Sequence, residues 1–145
     1  MKHRRSWVAG LGALVVACSV NAFAAKSLAD YSGEEIFARF CASCHGDTAH
    51  GNGPVARSLG VMVPDLTKIA QHYGGFPTQL VRDTIDGRGA LIAAHGTRIM
   101  PVWGYEFWVE AGADAAAQQE MRTTIAKLVD YLRSIQDDKV AINRD

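Results

Sequence analysis

Cysteine is scarce in this sequence. Cys41 and Cys44 lie three positions apart, and Cys18 is the only other cysteine. Because structural zinc needs four ligands, the lack of a second cysteine pair argues against a zinc site. No segment alternates for long between apolar and polar residues, as a half-buried strand would, and no internal repeat is present. These absences leave a mainly helical domain that is not built around zinc.

Long apolar runs are also lacking, and the one near the N-terminus has the pattern of an export signal. Residues 2–5 form a basic head, residues 7–20 are mostly apolar and small, and residues 22–24 read Ala-Phe-Ala, the small residues that a signal peptidase needs. We therefore predict that residues 1–24 are a cleaved signal peptide. The exported domain is then residues 25–145, located in the periplasm.

Two other outcomes for the N-terminal segment stay open. Its apolar run is short and interrupted for a membrane span, but if left uncleaved it would be a membrane anchor. Residues 15–18 read Val-Val-Ala-Cys and resemble a bacterial lipobox, in which Cys18 would be lipidated and become the mature N-terminus. In each case the domain that follows is exported and faces the periplasm.

An excess of basic charge is the third absence. The full chain has 15 basic and 15 acidic residues, and removal of residues 1–24 leaves 12 against 15, a net charge of −3. No run of basic residues is interleaved with aromatic residues, so the chain lacks the electrostatic footprint of a nucleic-acid-binding protein. A weakly acidic surface instead predicts a protein partner that is neutral, basic or mainly apolar at the contact.

Helical periodicity is present at both ends of the predicted domain. Ser32, with Glu35 three residues later, fits a capping box at the start of a helix, and apolar residues then recur at helical spacing as far as Cys44. Near the C-terminus, residues 115–136 have the pattern of an amphipathic helix, with apolar positions at Met121, Ile125, Leu128, Val129, Leu132 and Ile135.

Between these two helices, glycine and proline divide the chain. Residues 46–64 and 87–104 contain both and predict loops, whereas residues 65–72 and 78–86 predict short helices, the second closed by Gly87. The predicted fold class is thus all-α, with three to five helices. Loops of this length are unusual in a domain of this size unless they pack on something that is not protein.

A short motif at residues 41–45, Cys-Ala-Ser-Cys-His, indicates what that something is. A disulfide between Cys41 and Cys44 would close a very short loop and strain a helix, and a thioredoxin-like redox pair would need a βαβ unit, which is lacking. Covalent haem attachment uses all three residues, because both thiols bond to the porphyrin and His45 is then held as the proximal iron ligand. After an export signal, this motif predicts one covalently bound haem c.

The chain resembles the bacterial class I monohaem c-type cytochromes over nearly all of residues 30–136. The matching motifs follow the family's order: an N-terminal helix with Gly33 and Phe37, the haem motif at 41–46, Gly51-Asn-Gly-Pro54, Pro64-Asp-Leu-Thr67, Met100-Pro-Val-Trp-Gly104 and a last helix with residues 131–136. The resemblance implies an all-α fold whose first and last helices cross near the haem. It also implies the transfer of single electrons.

The sixth iron ligand must be a thioether or an imidazole, and the chain offers Met62, Met100, Met121, His50, His72 and His95. Met121 has the spacing of a core residue, and His50 lies too near His45 in sequence to reach the opposite haem face. Met100 lies 55 residues after His45, directly before a proline, where the family has its distal segment. We predict Met100 as the ligand, with Met62 as the runner-up and His95 as the choice that would lower the reduction potential.

Further residues are predicted to support the haem. The ring N–H of His45 needs an acceptor, and the resemblance implies the carbonyl of Pro54. Arg98 and Trp103 flank Met100 and are predicted to reach the haem propionates with a guanidinium fork and an indole N–H. A solvated arginine and a core aromatic residue are the alternatives for these two side chains.

These features predict an electron-transfer protein that is not an enzyme. The sequence contains one haem motif, and no second set of acid/base residues clusters with it. With His45 and Met100 both bound to iron, no substrate site is left at the metal. We therefore predict a periplasmic carrier that exchanges single electrons with redox partner proteins. A haem subunit of a dehydrogenase or oxidase complex, or a haem sensor of a small molecule, is the alternative.

Overall fold

The computed structural model describes residues 26–89 and 99–137. In these ranges the chain forms six α-helices: α1 (Gly33–Phe40), α2 (Ala42–His45), α3 (Ile69–Tyr73), α4 (Thr78–Asp86), α5 (Trp103–Glu110) and α6 (Ala115–Ser134). Short 3-10 helices lie at Leu28–Asp30, Ala56–Ser58 and Leu66–Lys68, and neither range contains a strand. The all-α prediction is confirmed, and the helix number agrees with it when α1 and α2, which meet at Cys41, are counted as one.

Several predictions fall on residues that the structure does not describe. The predicted signal peptide, with its alternative lipidation site at Cys18, lies outside the described ranges, and so do His95 and Arg98. Within residues 26–89 and 99–137, no helix has the length and apolar character needed to span a membrane.

Helix α1 begins where the sequence predicts. Ser32 is the N-cap: its Oγ accepts the N–H of Glu35 at 3.1 Å, while the Glu35 carboxylate accepts the N–H of Ser32 at 2.7 Å. These reciprocal bonds satisfy N–H groups that the first turn leaves without a helical partner. Ile36 and Phe37 are then buried on one face of the helix, which is the predicted apolar stripe.

Helix α6 lies at the centre of the core. It packs against α1, α4 and α5 and buries one continuous stripe: Ala117, Met121, Thr124, Ile125, Leu128, Val129 and Leu132. At the crossing with α1, a Cβ atom on Gly33 would overlap the carbonyl oxygen of Lys127. The rings of Phe37 and Tyr131 lie beside this close approach, with centroids 5.4 Å apart. The first and last helices therefore cross, as the resemblance implies.

The loop after α2 folds back on that helix. The N–H of Gly53 donates to the Cys44 carbonyl at 3.1 Å, and the N–H of Gly51 donates to the His45 carbonyl at 2.8 Å. Gly53 is buried, and the carbonyl oxygen of Ala42 lies 2.6 Å from where a Cβ atom would be. Only glycine fits at this position of the loop.

Helix α5 is the main difference between prediction and structure, because the sequence predicts a loop where α5 begins at Trp103. Its N-cap residue, Val102, makes no side-chain cap bond, and Gly104 in the first turn has the low helix propensity that signals a loop. Tertiary packing outweighs both signals. Phe107 is 1% exposed, and its ring contacts that of Phe40 with centroids 5.2 Å apart.

Candidate haem site

A cavity of about 580 Å³ is lined by residues of α1, α3, α4 and α6. Its wall is mainly apolar and includes Phe37, Leu66, Ile69, Val81, Ile85, Leu128 and Leu132. Cys41 and His45 line it from the junction of α1 and α2, and Met100 lines it from the segment before α5. The fold therefore brings the haem motif and the predicted sixth ligand, 55 residues apart in sequence, to one cavity.

The two cysteines of the motif are free thiols. Cys41 lies between α1 and α2 and is 8% exposed, while Cys44 is partly buried one turn further on. Burial, together with the nearby Cys44, raises the pKa of Cys41 to about 12, so its thiol is protonated at neutral pH. Because the two residues form no disulfide, both thiols are available for thioether bonds.

His45 is held by a backbone acceptor. Its Nδ1 lies 3.4 Å from the carbonyl oxygen of Pro64, a geometry in which a protonated Nδ1 donates and Nε2 keeps its lone pair. Burial lowers the pKa of His45 below its ordinary value, and the Pro64 carbonyl opposes this only in part. The ring is therefore neutral at pH 7, as a metal-binding imidazole must be.

This acceptor corrects the prediction of Pro54. Pro54 is exposed and follows a glycine that packs against the backbone of α2. The chain returns to His45 only later in the loop, where the N–H of Leu66 donates to the carbonyl of Ala49 at 2.8 Å. That hydrogen bond brings the Pro64 carbonyl beside the His45 ring. The proline that accepts from His45 is therefore Pro64 and not Pro54.

Three of the side chains considered for the sixth position line the cavity: Met62, Met100 and His72. Met100 is partly buried and packs against the core, whereas Met62 is 93% exposed. Met62 lies at the exposed mouth of the cavity. Met100 is therefore the lining methionine that the fold packs against the core.

The other described candidates have different contacts. Met121 is fully buried within the stripe of α6, which agrees with its prediction as a core residue. His50 does not line the cavity, and its Nδ1 lies 3.3 Å from a carboxylate oxygen of Asp65. The structure thus gives each of these two side chains a role in packing or in loop structure.

The predicted propionate contact of Trp103 finds no support in the described contacts. Trp103 does not line the cavity. Its ring packs between two phenylalanines, with centroids 5.5 Å from Phe40 and 5.5 Å from Phe107. Because these contacts join α5 to the end of α1, Trp103 acts as the core aromatic residue that the sequence left as an alternative.

Two further residues, Lys68 and His72, are polar side chains in the wall of the cavity. The sequence predicts no role for Lys68, and it offers His72 only as a candidate for the sixth ligand. Both line the cavity, Lys68 from the end of the 3-10 helix Leu66–Lys68 and His72 from α3. Apart from His45, they are the described lining residues that can carry positive charge. Both follow Pro64 closely in sequence. Their place in the cavity could be predicted only if Pro64 were already known to lie beside His45.

The cavity residues fit a covalently bound haem. An apolar wall suits the porphyrin, two free thiols suit its vinyl groups, and a neutral imidazole and a thioether suit the iron. In the described ranges no three His, Cys, Asp or Glu side chains group together to hold a metal ion directly.

Comparison with known families supports this interpretation. Residues 32–136 match the family model described as Cytochrome c. The chain belongs to the cytochrome c family. It is thus an electron-transfer haem protein, and the match confirms the predicted resemblance, fold class and type of cofactor, a covalent haem c with iron.

Several curated relatives of this cytochrome are oxidase subunits. It is 39% identical over 69 residues to the Cbb3-type cytochrome c oxidase subunit FixP of Azorhizobium caulinodans, covering 48% of this chain and 22% of that protein. It is 30% identical over 104 residues to subunit CcoP of Rhodobacter capsulatus, covering 72% and 28%. The cytochrome thus spans about a quarter of the length of these relatives. No solved structure is significantly similar to it.

Proposed function

We propose that this cytochrome is a periplasmic carrier of single electrons, with one haem c attached to Cys41 and Cys44 and with His45 and Met100 as axial ligands. The observation that supports this most is that His45 and Met100 line the same apolar cavity, beside the buried Cys41. When bound, haem supplies an iron that alternates between the ferrous and ferric states. The chain supplies the anchor, the ligands and an apolar surrounding.

Fixed ligands favour a carrier over an enzyme. The Pro64 carbonyl orients the His45 ring. On the other side, Pro101 restricts the backbone next to Met100, and Met100 packs against the core. If both ligands keep their positions in the ferrous and ferric states, few atoms move when the iron gains or loses an electron. This favours fast electron transfer.

Lys68 and His72 are suited to the haem propionates. A propionate is a carboxylate, and both an ammonium group and an imidazole N–H can donate a hydrogen bond to it. Both side chains line the cavity, and neither is buried, so they contribute where the cavity opens to solvent. We assign them the role that the sequence predicts for Trp103, and Arg98, which lies outside the described residues, stays a prediction for the same role.

The mouth of the cavity is suited to an apolar contact with a redox partner protein. Met62, Tyr73 and Leu80 line the cavity and are 93%, 56% and 46% exposed. Together with the weakly acidic net charge predicted for the exported domain, this favours a partner that is apolar, neutral or basic at the contact.

A second candidate function is a haem subunit of a terminal oxidase. The relatives named above are subunits of cbb3-type oxidases, and the similarity extends to 72% of this chain for one of them. Cell fractionation, with purification of the protein from the soluble periplasmic fraction and, under mild detergent, from the membrane fraction, distinguishes the two functions. A carrier is recovered alone from the soluble periplasmic fraction, whereas a subunit co-purifies in fixed ratio with an oxidase.

The ligand assignment is tested in the holoprotein with Met100→Ala and with Met62→Ala as its matched control. In the oxidised wild type we expect a weak near-infrared absorption band from iron–thioether charge transfer. The band should be lost in Met100→Ala and kept in Met62→Ala, and the reduction potential of Met100→Ala should fall because a thioether favours ferrous iron. Rapid binding of carbon monoxide by the reduced wild type would instead favour a sensor or an enzyme.

The location is tested by the intact mass of the mature protein. A soluble chain that begins at Ala25 supports the periplasmic carrier. A lipid-bearing chain that begins at Cys18, found in the membrane fraction, would show that the protein is anchored at the periplasmic face.

A further inference from the structure

A bidentate ion pair lies where the chain leaves α4. Arg88 Nε is 2.5 Å from Asp86 Oδ1, and Arg88 Nη2 is 2.9 Å from Asp86 Oδ2. The same guanidinium donates from Nη1 to Gln118 Oε1 at 3.1 Å and lies 3.8 Å from the sulfur of Met121. Since Gln118 and Met121 belong to α6, Arg88 connects the end of α4 to the central helix.

The start of α5 contacts the same carboxylate. Gly104 is buried in the first turn of α5, and a Cβ atom there would overlap Asp86 Oδ1. The backbone oxygen of Asp86 lies 2.7 Å from that Cβ position. The backbone of α5 therefore rests directly on Asp86, and glycine permits this approach.

Met100 lies in the segment that these contacts delimit. The segment leaves α4 at Asp86 and enters α5 beside Gly104, four residues after Met100. Thr84 and Ile85, the two residues before Asp86, line the haem cavity together with Met100. The Asp86 carboxylate thus contacts Arg88 at the start of the segment and Gly104 just after its end. Both contacts lie next to the part of the cavity wall that Thr84, Ile85 and Met100 form.

We propose that Asp86 is a positioning residue for Met100, with Arg88 fixing its carboxylate and Gly104 packing on it. This inference rests on the proposed function in which the Met100 thioether is an axial ligand. The side chains of Arg88 and Asp86 are 34% and 26% exposed. An isolated ion pair at such a site stabilises little, but a bidentate pair that also contacts two helices restricts their relative position.

The experiment uses the holoprotein and compares Asp86→Asn with Asp83→Asn. Asp83 lies in the same helix and is exposed, so its variant controls for the loss of one negative charge. In Asp86→Asn we expect carbon monoxide to bind the reduced protein about tenfold faster than in the wild type. Tenfold corresponds to about 1.4 kcal/mol less free energy holding Met100 in place. The near-infrared band of the oxidised protein should weaken in parallel, and Asp83→Asn should match the wild type in both readouts.

A second pair of variants separates positioning from general stability. Arg88→Gln should reproduce Asp86→Asn, Arg88→Lys should restore part of the wild-type behaviour, and the double variant Asp86→Asn with Arg88→Gln should be no worse than either single one. If Asp86→Asn fails to fold, as judged by circular dichroism, the two Arg88 variants decide the question.

The possible failures are distinguishable. Wild-type carbon monoxide kinetics in folded Asp86→Asn and in Arg88→Gln would overturn the positioning role while leaving Met100 as ligand. An unchanged near-infrared band in Met100→Ala would overturn the proposed ligand, and with it this inference.

Discussion

The His45 side of the cavity is built from neighbouring residues and backbone bonds, whereas the Met100 side depends on contacts between distant side chains. On the first side, the N–H of His45 donates to the Cys41 carbonyl at 2.9 Å, and the following loop folds back on α2 through its own N–H groups. On the second side, Met100 lies in sequence between Arg88, which pairs with Asp86 and donates to Gln118 of α6, and Trp103, which packs on Phe40.

This difference has a consequence for the properties of a cytochrome. Backbone bonds persist through most side-chain substitutions, so the anchored ligand should tolerate changes around it. Side-chain contacts can be altered one at a time, so the position of the second ligand should be adjustable in small steps. We expect substitutions on the His45 side either to keep or to abolish covalent attachment of haem. Substitutions on the Met100 side should instead change the strength of the bond between Met100 and iron by degrees.

The largest effect should come from removing both thiols on the His45 side. In the double variant Cys41→Ala with Cys44→Ala, we expect complete loss of covalent haem, because no thioether bond can form. Extraction with acid–acetone after denaturation measures this by the colour left on the polypeptide. Ser43→Ala, at the exposed position between the two cysteines, should stay red. A red polypeptide in the double variant would show that the attachment site is elsewhere.

The next largest effect should come from Gly33→Ala at the crossing of α1 and α6. The added methyl group overlaps the carbonyl oxygen of Lys127, so the helices must separate, at a cost of about 1–3 kcal/mol in the free energy of unfolding. Unfolding by guanidinium chloride measures the cost. Gly89→Ala is the control, because nothing lies within 4 Å of its Cβ position. Equal midpoints for the two variants would contradict a tight crossing.

The contrast between the two sides also explains what the sequence could predict. The capping box at Ser32, the motif at residues 41–45 and the burial of Met121 are local patterns, and a local pattern is readable because its partners are a few residues apart. For the same reason α4 is predicted with its observed bounds, Thr78–Asp86.

What the sequence could not predict depends on tertiary contacts. Helix α5 is stabilised by the ring of Phe40 at the end of α1, and no local signal marks its start. The choice between Pro54 and Pro64 depends on how the loop returns, which a bond between Leu66 and Ala49 determines. The positions of Lys68 and His72 gain meaning only from the cavity that they line.

A smaller effect should come from Lys68→Gln, which tests whether the opening of the cavity tunes the haem. Loss of a nearby positive charge favours the ferric state, so the reduction potential should fall by an amount on the order of tens of millivolts. Spectroscopic redox titration measures it. Lys26→Gln removes a lysine that pairs with Glu35 and does not line the cavity, and it should leave the potential closer to the wild-type value. A larger shift in Lys26→Gln would argue against the assignment of Lys68 to the propionates.

The smallest effect should come from Asp65, where side-chain bonds help to hold the His45 side. Its Oδ1 accepts the N–H of Thr67 at 3.0 Å and the Thr67 hydroxyl at 2.6 Å, and it lies 3.3 Å from Nδ1 of His50. Burial alone would raise the pKa of Asp65, but the hydrogen bonds from Thr67 and His50 outweigh it and hold that pKa below its ordinary value. The folded protein therefore favours the ionised carboxylate.

A lowered pKa in the folded state fixes the sign of the pH dependence. The stability that the Asp65 carboxylate contributes is fully present above its unfolded pKa of about 3.9 and is lost as pH falls through the lower folded value. Asp65→Asn should therefore be slightly less stable than the wild type at pH 7, and the two should converge in acid, as measured by denaturant midpoints. Asp47→Asn, at an exposed position of the same loop, controls for the loss of one negative charge. A difference between wild type and Asp65→Asn that persists unchanged into strong acid would mean that the carboxylate's charge does not hold this loop, and the His45 side would then depend on its backbone alone.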